Sequence, residues 1–89
     1  MMCEREVRIE NRNGLHARPA AEIVKAASKF SSEVTIRRDD LEVNGKSIMG
    51  IMMLAAAKGS VITLKIEGTD EAEAMSTLGE LINNGFGED

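Results

Sequence analysis

The chain's single histidine, His16, stands in the run Asn13-Gly14-Leu15-His16-Ala17-Arg18-Pro19-Ala20, between a glycine turn and the first apolar-periodic residues of a helix. Imidazole is the side chain that titrates near neutrality, so a neutral fraction able to attack phosphorus exists at cellular pH. The first turn of a helix presents amides that have no intrahelical acceptor and carries about half a positive charge, which suits an anion. A phosphoryl group taken up by His16 would gain roughly 0.3–1 kcal/mol from that helix end. Arg18 is near enough to bind the transferred oxygens through charge-assisted contacts of roughly 1.5–3 kcal/mol. The plainer reading of a lone histidine here is a surface residue or a cap; Gly14, Arg18 and Pro19 around it weigh against that reading.

The rest of the chain offers no means of activating phosphate. It has no second histidine to serve as base, no phosphate-cradling glycine loop and no acidic metal cluster. Gly45-Lys46-Ser47 has the ending of a P-loop, but that motif needs a glycine where Asp40 stands, so an ATPase is rejected. The expectation is a phosphoryl-transfer intermediate with no turnover of its own, no metal and no cofactor.

A second group of interest opens at Ser47, a preferred N-cap residue whose hydroxyl can satisfy an orphan N–H. Ile48, Met49, Ile51, Met52, Met53, Leu54, Ala55 and Ala56 follow, apolar nearly all round, whereas a helix lying on a sheet buries only one stripe. Ile51 and Leu54 fit the buried stripe. Ile48, Met49 and Met52 are left on another side, either as ordinary core or as a flexible methionine-rich docking surface.

These residues need elements to hold them. Val7 and Ile9 alternate with charged neighbours as in a half-buried strand, which Asn13-Gly14 closes. Ala20, Ile23, Val24, Ala27 and Phe30 share one helical face, predicting a helix from about Ala17 to Lys29, with Pro19 tolerated in its first turn. Val34 and Ile36, then Leu41 and Val43, make a hairpin around Arg38-Asp39-Asp40. A second helix is expected from Ser47 to about Lys58, and a fourth strand through Ile62, Leu64 and Ile66. Asp70 and Glu73 form a capping-box-like start to a last helix, which Asn84-Gly85 closes. The order β-α-β-β-α-β-α is a split βαβ pattern, an α+β fold with one largely antiparallel sheet and helices on a single face.

Composition bounds the rest. With 89 residues, 43% of them hydrophobic, residues 1–89 are expected to form a single domain. A net charge of -4 and the absence of Trp and Tyr argue against nucleic-acid binding. Cys3 is the only cysteine, so no intrachain disulfide is possible. The N-terminus turns charged at once and no apolar stretch approaches a membrane span, so a cytoplasmic protein without membrane insertion is expected.

Gly14-Leu15-His16-Ala17-Arg18-Pro19-Ala20 closely resembles the active-site motif of the HPr family, the histidine phosphocarriers of the bacterial phosphotransferase system. The resemblance continues through Lys46-Ser47-Ile48-Met49-Gly50-Ile51-Met52 and Ala57-Lys58-Gly59 to the closing helix. It implies an open-faced β-sandwich of four antiparallel strands with three helices on one side. It also implies that His16 is phosphorylated on Nδ1 by Enzyme I, which draws on phosphoenolpyruvate, and donates to an EIIA in sugar uptake with help from Arg18. Ile48, Met49 and Met52 would dock partners, and Ser47 would be a regulatory phosphorylation site for HPr kinase/phosphorylase. A monomer is the default for a carrier that presents one face to successive partners. Two alternatives are a carrier of the nitrogen-related branch and a regulatory binding module that acts through the second-helix patch.

Overall fold

Period-two apolar spacing becomes four strands in the computed structural model, which describes residues 2–87: β1 (Met2–Arg8), β2 (Glu33–Arg38), β3 (Leu41–Asn44) and β4 (Val61–Glu67). The helical spacing becomes α1 (Ala17–Ala27), α2 (Ile48–Met53) and α3 (Glu71–Asn83), followed by a short 3-10 turn at Gly85–Gly87. The sheet runs β1-β4-β2-β3, and every neighbouring pair is antiparallel. Because β4 slots between β1 and β2, those two strands are parallel and α1 crosses between them, as the split pattern requires.

Alternation along the strands decides which face is covered. Val7, Ile36, Ile62, Leu64 and Ile66 point to the helices and are buried with Ile23, Ala27, Leu78 and Ile82. The opposite face carries Glu4, Glu6, Glu33 and Glu42 in exposed positions, and no helix among the described residues covers it. This is the expected open-faced sandwich. No helix among the described residues is long and apolar enough to cross a membrane.

Two helix ends and one helix cap differ from the sequence expectation. α1 stops at Ala27 because Lys29 N–H and Phe30 N–H donate to Ala26 O at 3.2 Å and Ala27 O at 3.1 Å, tightening the last turn to i→i−3 bonds. Phe30 still packs against the core from there. α2 ends at Met53, five residues short of Lys58, for reasons that belong to the site described below.

The third difference concerns Asp70, which makes no cap bond to α3. Its carboxylate instead accepts from Ser31 N–H at 2.9 Å, Ser32 N–H at 3.0 Å and the Ser32 hydroxyl. Glu71, the first residue of α3, reaches back so that its Oε1 accepts from Gly68 N–H at 3.1 Å. The donors around Asp70, the Ser32 hydroxyl first and then the Ser31 amide, push its carboxyl down to about 2. An acid whose folded pKa lies below its unfolded value stabilises the fold above the unfolded pKa. That contribution is expected to be present above about pH 4 and to disappear as the pH falls through about 2. Urea unfolding between pH 6 and pH 2 checks this: the gap between wild type and Asp70→Asn should narrow toward the acid end, and a constant gap would contradict it.

Candidate functional site

His16 is the N-cap residue of α1, extended at φ -81 and ψ -170, and its carbonyl accepts the Ala20 N–H at 3.0 Å. The helix therefore begins at Ala17, as the periodicity predicts, and its opening amides lie directly after the histidine. No acidic residue stands in that first turn, so nothing there competes with an incoming anion for the helix end. His16 is half-buried and Arg18, two residues on, is exposed. Pro19 is buried in the same turn, where its missing N–H removes no helical bond.

The histidine loop is fastened to the segment that leaves α2. Leu15 N–H donates to Ala56 O at 2.9 Å, and His16 N–H donates to Gly14 O at 3.0 Å. Gly14 makes this approach possible. It has φ +66, and a Cβ there would overlap Ala56 O and lie 2.8 Å from Ala57 Cα.

That fastening also explains the short second helix. Leu54 N–H and Ala55 N–H turn to i→i−3 acceptors, Ile51 O and Met52 O, both at 3.1 Å. Ala55 then takes the left-handed conformation at φ 49. Arg38, at the end of β2, places its guanidinium on Leu54 O at 2.9 Å, supplying the cation that a helix C-terminus favours. Sequence reading missed Arg38 in this role, because it looked like one of three polar turn residues in the β2–β3 hairpin.

At the other end of α2, Ser47 is the N-cap: its Oγ accepts from Gly50 N–H at 3.0 Å. Ile51 and Leu54 are buried, as their spacing predicts. Ile48 is 41% exposed, Met49 75% and Met52 43%, so these three side chains are not core. Met53 adds a fourth exposed apolar side chain, 65% accessible. α2 packs against α1. The structure thus joins three features named from sequence: a histidine at a helix end, an exposed methionine-rich patch on the adjoining helix, and a capping serine at that helix's start.

The chain is similar to known proteins over nearly its whole length. The family model described as "PTS HPr component phosphorylation site" matches residues 3–84. The phosphocarrier protein HPr of Neisseria meningitidis serogroup A is 55% identical over 87 residues, which span 98% of this chain and 98% of that protein. A crystal structure of HPr from Thermoanaerobacter tengcongensis superimposes with a TM-score of 0.94 at 50% identity, covering 98% of each chain. A dimeric crystal structure of HPr from the same organism matches with a TM-score of 0.78 at 53% identity, covering 94% of this chain and 99% of that one.

Proposed function

Because this chain belongs to the HPr family of phosphocarriers of the phosphotransferase system, we propose that His16 is its phosphoryl acceptor, charged by Enzyme I and discharged to an EIIA protein in sugar uptake. The observation that carries this reading is the position of His16 as the N-cap of α1, with an opening turn free of acidic residues. A neutral imidazole attacks phosphorus there, and the new N–P bond forms as the bond to Enzyme I breaks. The helix end and the Arg18 guanidinium meet the charge on the transferred oxygens. Both terms favour the phosphorylated state by a few kcal/mol together, enough to hold the group without activating it.

Partners supply the remainder by docking on Ile48, Met49 and Met52, the exposed apolar side chains of α2. The carrier works in the cytoplasm, as a monomer that shows the same face to donor and acceptor. The test is a two-step transfer. Protein charged with phosphoenolpyruvate and Enzyme I should pass its phosphate to sugar-type EIIA faster than to nitrogen-type EIIA. Faster transfer to the nitrogen type would place the chain in that branch, and no transfer to either would favour the purely regulatory module.

Ser47 is the second proposed modification site, with HPr kinase/phosphorylase as its modifying enzyme. Its hydroxyl already caps α2 through Gly50 N–H. A phosphate there adds about -1.5 to -2 charge beside the apolar patch, tolerable at a helix start and unfavourable to an acidic partner. Incubation with the kinase and ATP should give a phosphopeptide containing Ser47, and the modified protein should be charged by Enzyme I more slowly. Absence of that phosphopeptide would leave Ser47 as a cap alone, with Ser47→Ala then costing only about 1 kcal/mol of stability.

A further inference from the structure

Resting on the carrier reading, we propose that Asn11 is a positioning residue for phosphoryl transfer at His16, acting through the Gly14 carbonyl. Asn11 is 1% exposed, a rare level of burial for a primary amide in a loop. Its Nδ2 donates to Gly14 O at 2.7 Å, and its own backbone carbonyl accepts from Gly14 N–H at 3.1 Å. One residue therefore holds Gly14 by both its carbonyl and its amide. The closing turn packs against it: a Cβ on Gly85 would lie 3.7 Å from that of Asn11.

The Gly14 carbonyl has a second donor, the His16 N–H at 3.0 Å. A carbonyl oxygen has two lone pairs, and here both are engaged, one by Asn11 and one by His16. The consequence for chemistry is electrostatic and geometric. A peptide carbonyl swung toward a phosphoryl group would set a partial negative charge against its oxygens. Asn11 keeps this carbonyl turned onto a buried side chain instead, and the His16 backbone follows it through the shared oxygen. The reacting imidazole is thus oriented from a residue that never touches the phosphate, and small misplacements of a reacting group are costly to rate.

Two variants test this with a stability control. Asn11→Ala removes the donor, and Asn11→Asp keeps the size while replacing the amide with a carboxylate. Ile66→Val, in the core at the far end of β4, lowers stability away from the site. Charging by Enzyme I and phosphoenolpyruvate is followed at varied carrier concentration, at a temperature where thermal unfolding shows each variant folded. In both Asn11 variants kcat should fall roughly tenfold or more while KM for the carrier changes less than about twofold, and the phosphohistidine should hydrolyse faster. Ile66→Val should keep wild-type kcat and half-life. Asn11 variants that match Ile66→Val in both readouts would overturn the positioning role, as would a pure KM effect. Failure of the carrier reading would look different, since wild type itself would then take up no label.

Discussion

Gly14→Ala is expected to lower the melting temperature by roughly 10 °C or more and to cut the charging rate of the protein that remains folded by roughly tenfold or more. Two effects add at this one atom. A non-glycine residue at φ +66 sits in the left-handed region at a cost of about 1–2 kcal/mol. The new methyl group must also displace Ala56 O, the acceptor for Leu15 N–H, and push against Ala57 Cα, and overpacking of this kind costs about 1–3 kcal/mol more. Relief comes only by moving the histidine loop off the segment behind α2. That shift separates His16 from the face that partners would use, so activity should fall beyond what the loss of folded protein explains. Thermal unfolding and steady-state charging on the same sample check both halves. A variant with wild-type melting would contradict the packing argument.

The second large effect belongs to the patch. Met49→Asp should raise KM for Enzyme I by roughly 30-fold or more, the loss expected when an interface anchor worth about 2 kcal/mol is replaced, while leaving the fold intact. Met49 is 75% exposed in the free protein, so little packing is lost. It also lies in the first turn of α2, where a carboxylate is tolerated by the helix end. In a docked complex the same carboxylate would be buried without a partner. Met49→Ala should give a smaller rise. Melting temperature, KM and kcat separate the outcomes, and an unchanged KM for Enzyme I and for EIIA alike would move docking away from Ile48, Met49 and Met52.

What could be read from the sequence was local. His16 at the start of α1 followed from Pro19 and from the spacing of Ala20, Ile23 and Ala27, all of which are buried. The exposed side of α2 followed from counting apolar residues against one stripe, and Ile51 and Leu54 took the buried places. The end of α1 was misread through a local tightening to i→i−3 bonds, and the other misreadings involve partners distant in the chain. Ala55-Ala56-Ala57 reads as continuing helix, whereas Arg38 N–H donates to Leu54 O, Leu15 N–H donates to Ala56 O and Ala55 turns left-handed where the helix ends. Asp70 reads as a helix cap, yet its acceptor oxygens are taken by Ser31 and Ser32, 39 and 38 residues earlier. Asn11 carries a weak signal, an asparagine just before a glycine turn, but nothing in the sequence shows that it is buried.

Helix end, Arg18 and docking patch all serve His16, and the most direct measurement is to locate the phosphate. Protein incubated with Enzyme I and phosphoenolpyruvate should gain one phosphoryl group that is acid-labile, maps to the peptide containing His16 and gives the nuclear magnetic resonance signature of an Nδ1 phosphoimidazole. His16→Ala should gain none while remaining folded by thermal unfolding. With an Enzyme I shown to charge another carrier, a label that is acid-stable, that maps elsewhere or that persists in His16→Ala would contradict the account.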